Sequence, residues 1–150
     1  MEIKTLTAGL SVSEQITSAD MQAIKDAGFR GIICNRPDGE GADQPTFDEL
    51  AKAAEKAGIQ ARYLPIVAGK VSDQDAADFD KGLTELPGPV LAFCRTGTRS
   101  ATLWSLSQAD RRSVADILAA TKAAGYDMGG VVRRIVNGGK TPTDTGDARY

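Results

Sequence analysis

The sequence predicts an α/β domain, with a mostly parallel sheet and helices on both of its faces. Three observations predict it. Capping boxes, Ser or Thr followed three residues later by Asp or Glu, recur at Thr17 with Asp20, Thr46 with Glu49, Ser72 with Asp75, and Ser113 with Asp116. Glycine closes three of the helices so opened, at Ala27-Gly28, Ala57-Gly58 and Ala124-Gly125, as left-handed C-caps favour. Between the helices lie short apolar, β-favouring runs: Phe29 to Cys34, Ile59 to Ile66, and Pro89 to Cys94. Strands and helices alternating over residues 17–124 imply right-handed βαβ units.

In chain order, Ile3 to Leu6 and Leu10 to Val12 flank Ala8-Gly9 and suit a small hairpin. A helix opens at Thr17, and the strand Phe29 to Cys34 follows it. The Thr46 helix precedes the strand Ile59 to Ile66. The Ser72 helix closes on Leu86-Pro87-Gly88, without a terminal Ala-Gly pair. Pro89 to Cys94 is apolar enough for a buried central strand. From Ser100, Leu103 and Leu106 stand three apart, with Ala101 and Trp104 near the same face, which suits a helix. A last helix opens at Ser113. Residues 1–136 read as one domain, and 137–150, NGGKTPTDTGDARY, as a loose polar tail.

Composition narrows the function. With 150 residues, 41% hydrophobic and 25% charged at net charge −2, the chain gives no reason to expect nucleic acid or a membrane as partner. No apolar segment approaches the roughly 18 residues of a membrane span. The N-terminus lacks a charged-then-apolar cleavage pattern, so a cytoplasmic location is expected. Two cysteines and no histidine make a disulfide scaffold, a metal site or a bound cofactor unexpected. The missing histidine also removes the usual general base for cysteine chemistry.

The chemistry concentrates in VLAFCRTGTRS, residues 90–100. In open parallel sheets ligands gather at the carboxyl ends of strands. Residues 94–99 should join such an end to a helix amino end, where unpaired amides and the helix dipole attract anions. Gly97 permits a positive φ and close approach of the backbone to a ligand. The same surroundings favour a Cys94 thiolate, and Arg99 offers a planar fork for an oxyanion. Cys94, Arg99 and Ser100 are therefore the candidate catalytic residues. Arg95, Thr96, Gly97 and Thr98 are candidates for substrate binding, with Arg95 as readily turned to solvent. The alternative is a cysteine that is merely a small buried hydrophobe.

Asn35 to Glu40, NRPDGE, should lie on the same rim. Arg36 and Asp38 either line the pocket or organise its loop, since PDG is also an ordinary turn. Cys34 ends its strand as Cys94 does. It is either a resolving thiol on a neighbouring strand or an inert buried one.

CRTGTR resembles the active-site loop of rhodaneses. From residue 2 to about 136, however, the chain resembles the phosphatase-like domain family of beta-lactamase hydrolase-like proteins. The segments that carry this are LSVSEQIT, DMQAIKDAGFRGIICNRPDGE, DQPTFDELAKAAEKAGI, YLPIV, LPGPVLAFCRTGTRSATLW and AAGYD. The resemblance implies a dual-specificity-phosphatase-like three-layer sandwich with a four- or five-stranded sheet and the cysteine loop at its centre. It also implies, as a partner or fused domain, a metallo-beta-lactamase-fold persulfide dioxygenase. Some phosphatases of this fold have a second, backdoor cysteine, which would be Cys34.

Phosphatases of that fold place five residues between cysteine and arginine, and here there are four. Phe93 stands where they have histidine. After YLPIV comes Ala68-Gly69-Lys70 in place of a general-acid aspartate, and Asp73 and Asp75 suit a helix start. Sulfur transfer needs no such acid, because sulfite or a thiolate leaves readily. The sequence therefore ranks first a sulfurtransferase, which carries sulfur from thiosulfate or glutathione persulfide to a thiol through a Cys94 persulfide. A phosphatase with a Cys94 phosphocysteine comes second, and a non-catalytic anion or persulfide sensor third.

Overall fold

The computed structural model describes residues 1–136, so the expected tail at 137–150 lies outside the described residues. The predicted caps are where the helices start. Ser72 Oγ accepts the Asp75 amide at 3.0 Å, and the Asp75 carboxylate takes the Ser72 amide at 2.9 Å, opening α3 (Asp73–Glu85). Thr46 caps α2 (Phe47–Lys56) and Ser113 caps α5 (Val114–Ala123) by the forward bond alone. The Thr17 box opens a 3-10 turn, Ser18–Asp20, which runs on into α1 (Met21–Asp26). Gly28, Gly58 and Gly125 take positive φ after α1, α2 and α5.

The sheet has five strands in the order β1-β2-β5-β3-β4. β1 (Ile3–Thr7) and β2 (Leu10–Ser13) form the expected antiparallel hairpin. β3 (Gly31–Cys34), β4 (Gln60–Tyr63) and β5 (Val90–Phe93) are parallel to β2 and to one another. The strands are shorter than their apolar runs because the run ends bond elsewhere. The Phe29 and Ile59 amides still close the preceding helices, on the carbonyls of Ile24 and Ala54. Beyond Tyr63, Pro65 has no amide to give the ladder.

Register decides where the site can be. Ser13 and Cys34 both pair with Phe93, and Cys34 also pairs with Tyr63. All four parallel strands therefore end at one level, and the segments that follow them share one rim. α1 and α2 cover one face of the sheet over Ile16, Ile24, Ile32, Leu50, Leu91 and Phe93. On the other face lie α3, α5, α4 (Thr98–Ser107) and α6 (Gly129–Val136), over Ile33, Phe79, Ala92, Trp104 and Met128. This is a three-layer sandwich.

Two helices differ from expectation. α4 starts at Thr98, two residues early, because Gly97 at φ +93° serves as its N-cap. It is buried continuously from Arg99 to Leu106. α6 is unannounced in the sequence, since it begins with two glycines and is capped by Asp127 Oδ1 on the Gly129 amide. No helix among the described residues is long and apolar enough to cross a membrane.

Candidate active site

β5 is wholly buried and delivers Cys94, 1% exposed, to the rim at the centre of the sheet. The chain then turns sharply through Gly97, whose amide donates to Cys94 Sγ at 3.0 Å. Arg95 and Thr96 point outward and are exposed, and the hydroxyls of Thr96 and Thr98 are hydrogen-bonded at 3.0 Å. Tyr126, from the α5–α6 connection, donates its hydroxyl to the Thr96 carbonyl at 3.2 Å and closes over Gly97. Burial first, and then the negative charge of Cys94, hold the Tyr126 phenol above its usual range.

Arg99, in the first turn of α4, reaches back under the rim. Its Nη1 donates to Glu40 Oε2 at 2.8 Å and to the Ile66 carbonyl at 2.9 Å, and its Nη2 donates to Glu40 Oε1 at 2.7 Å. The hydrogen bond to Glu40 raises its pKa most; burial opposes this, and the charge and hydrogen bond of Cys94 add to the rise. The guanidinium is thus held by the carboxylate, with the sulfur near enough to act on its charge. Ser100 Oγ donates to Asn35 Oδ1 at 2.8 Å, and the Asn35 amide donates to the Leu64 carbonyl at 2.9 Å. The Ser100 hydroxyl proton thus goes to Asn35, which ties α4 to the two neighbouring strand ends.

The NRPDGE loop divides its expected roles. Arg36 joins the cluster, with Nε on Glu40 Oε1 at 2.9 Å and Nη1 on Gln15 Oε1 at 3.2 Å. Asp38 does not join it through its carboxylate: Oδ1 accepts the Phe47 amide at 2.8 Å and caps α2. Asp38 is a turn and capping residue, as the PDG alternative allowed. The sequence reading missed Glu40, Gln15, Asn35 and Tyr126. Glu40 stood at the end of the quoted rim segment, but nothing in a glycine-flanked glutamate announces a partner on α4.

The two aspartates weighed as general acids are both engaged. Asp73 Oδ1 pairs with the buried Arg134 at 2.8 Å, and Asp75 holds the Ser72 amide. Glu40 does lie at the loop, but hydrogen bonds from Arg99 first, then Arg36, lower its pKa from 4.5 to about 2 against the effect of burial. It is an anion at neutral pH and holds no proton to give.

That shift sets a stability window. A carboxylate lowered on folding stabilises the fold above its unfolded pKa, and this is lost as pH falls towards the folded value. Wild-type protein should lose stability between pH 4.5 and about 2 more steeply than Glu40→Gln. Urea unfolding at stepped pH checks this, and parallel curves across that window would refute it.

Cys34 and Cys94 end neighbouring strands, as expected, and both are free thiols. Cys34 stands opposite Phe93, not Cys94, and packs with Ile32, Leu91 and Phe93 on the α1/α2 face. Its thiol donates to the Arg36 carbonyl at 3.4 Å. Burial pushes its pKa up to about 11, which keeps it protonated and supports the inert alternative.

Residues 2–111 match the family described as "Beta-lactamase hydrolase-like protein, phosphatase-like domain". A beta-lactamase hydrolase-like protein of Xylella fastidiosa is 32% identical over 134 residues, covering 88% of this chain and 31% of its own length. The chain thus spans about a third of that curated relative. A crystal structure from Neisseria meningitidis, named as a candidate phosphatase, is 35% identical with a TM-score of 0.82, covering 91% of this chain and 98% of that one. Tk-PTP in its active form, 17% identical with a TM-score of 0.67 over 91% and 95% of the two chains, shares the fold. The sandwich is that of the dual-specificity and tyrosine phosphatases, as the resemblance implied.

Proposed function

The chain belongs to the family of the beta-lactamase hydrolase-like protein, phosphatase-like domain, and from that membership and its anion cradle we propose a phosphatase-like hydrolase with Cys94 as nucleophile. The observation that carries this reading is the Gly97 amide on the Cys94 sulfur at 3.0 Å, at the amino end of α4 and beside the Arg99 guanidinium. Such a junction presents backbone donors and a fixed cation to an anionic group above the sulfur.

The reaction balances as follows. The Cys94 thiolate attacks phosphorus, forming a sulfur–phosphorus bond as the ester oxygen–phosphorus bond breaks. The departing oxyanion takes its proton from water. Water then cleaves the thiophosphate, releasing inorganic phosphate and restoring the thiolate. With Asp73, Asp75 and Glu40 all engaged, the site suits esters with stable leaving groups, such as aryl phosphates. Arg99 would hold the non-bridging oxygens while the Gly97 amide holds the sulfur, with Arg95 and Thr96 at the mouth.

The ranking drawn from the sequence alone is thereby reversed. The family description and the Neisseria neighbour name phosphatases, and they support that reading over sulfur transfer. Two observations keep sulfur transfer as the second reading: four residues, not five, separate Cys94 from Arg99, and Asp73, Asp75 and Glu40 are all engaged elsewhere. In that case Cys94 would take the outer sulfur of thiosulfate or glutathione persulfide, releasing sulfite or glutathione, and pass it to a thiol. A persulfide dioxygenase is the partner that this reading implies.

Rapid-quench intact mass spectrometry separates the readings. After mixing with p-nitrophenyl phosphate, a phosphoryl group should appear on the Cys94 peptide and then decay with release of phosphate. A sulfur adduct from thiosulfate, with no phosphoryl adduct, would install the second reading. A stable single modification without turnover would make the domain a sensor.

A further inference from the structure

In a trans peptide the C=O and N–H bonds point in opposite directions, so whatever holds one aims the other. The peptide between Thr96 and Gly97 is held at both ends. Its N–H is the Gly97 amide that donates to Cys94 Sγ at 3.0 Å. Its C=O is the Thr96 carbonyl that accepts from the Tyr126 hydroxyl at 3.2 Å. Phenol and sulfur are therefore joined through one peptide group. A donor on the carbonyl draws electrons from the amide and makes its N–H a stronger donor, as in any chain of hydrogen bonds that polarise one another.

The phenol is brought to this point by a fixed element. Gly125 and Tyr126 close α5 as a Schellman motif, with Gly125 at φ +92°. The Gly125 amide donates to the Lys122 carbonyl at 2.9 Å, and the Tyr126 amide donates to the Thr121 carbonyl at 2.9 Å. Thr121 is wholly buried. The hydroxyl then lies where a Cβ on Gly97 would stand, so the glycine is what lets it reach the carbonyl. With its pKa held above the usual range, the phenol keeps its proton at neutral pH and remains a donor.

We infer that Tyr126 is a positioning residue for the nucleophile: through the Thr96–Gly97 peptide, its hydroxyl aims and strengthens the amide that holds the Cys94 sulfur as a thiolate. This rests on the reading of Cys94 as the reacting group. The ionisable groups facing the sulfur are Arg99 from α4, Cys34 from β3 and Tyr126 itself. Those facing the phenol are Cys94, Glu2 and Glu14, with Lys4 Nζ beside Gly125. Tyr126→Phe leaves every one of the others in place.

The test needs no turnover, so it stands even if the phosphatase reading fails. The full chain is alkylated with iodoacetamide over a stepped pH series, and the Cys94 peptide is followed by mass spectrometry. The thiolate absorbance of each variant, less that of its Cys94→Ser counterpart, gives the same midpoint without a reagent. Tyr126→Phe keeps the ring and loses the hydroxyl. Its midpoint should rise by about half a pH unit, which is about threefold slower alkylation below the midpoint, with the plateau at high pH little changed. Fluorotyrosine at position 126, a more acidic phenol and stronger donor, should lower the midpoint, and it gives the reading if Tyr126→Phe does not fold. A midpoint unchanged in Tyr126→Phe, even with a lower melting temperature, would make the phenol a structural clasp only. A lower midpoint in Tyr126→Phe would show a phenol that opposes the thiolate. Equal midpoints for tyrosine and fluorotyrosine would show that donor strength does not pass through the peptide. Each of these overturns the inference.

Discussion

Cys94→Ser is expected to abolish hydrolysis of p-nitrophenyl phosphate, with kcat falling by on the order of 10^6-fold, as when a serine protease loses its nucleophile. A serine hydroxyl is a weak nucleophile without an adjacent base, and the chain has no histidine to supply one. Glu40, the nearby anion, is committed to Arg99 and Arg36. The substitution is close to isosteric at a buried site, and the Gly97 amide can donate to the new hydroxyl. Thermal unfolding should therefore change little while activity disappears. More than roughly one part in a hundred of wild-type activity remaining would place the nucleophile elsewhere.

Gly97→Ala should damage both fold and function. At φ +93° any Cβ is strained, and here it would also collide with the Tyr126 hydroxyl and come within 3.3 Å of the Ser13 carbonyl. The left-handed conformation alone costs about 1–2 kcal/mol. To relieve the collision the peptide must rotate, which draws the Gly97 amide off the sulfur. Losing one preorganised donor lowers kcat by about 10²–10³-fold, judged by oxyanion holes elsewhere. Steady-state kinetics beside a thermal melt would show this. A destabilised protein with normal kcat would mean that the amide does not serve the reacting centre.

The difference between these residues and Glu40 shows what the chain discloses. Cys94, Gly97 and Arg99 were legible because their roles depend on neighbours within one turn: a strand end, a positive φ and a helix start. The helix caps were legible for the same reason. Glu40 meets Arg99 across 59 residues, and before the strands are ordered it looks like any solvated loop charge. Ser100 and Asp38 were placed near the rim, but their partners Asn35 and the Phe47 amide were not foreseen, because hydroxyls and carboxylates choose among several donors and acceptors on arrival. Cys34 shows a third limit. The strand order that makes it a neighbour of β5 was inferable, but the register that sets it beside Phe93 was not.

The continuous burial of α4 has a consequence for how the site ages and diversifies. β5 and α4 are enclosed along nearly their whole length, and the cradle is the short turn between them. Amides in such segments exchange with solvent mainly when the domain as a whole opens. The two segments that anchor the cradle therefore hold for as long as the fold does. Heritable change in what the protein accepts accordingly has most room at the exposed rim residues Arg95 and Thr96, where substitutions leave the core standing.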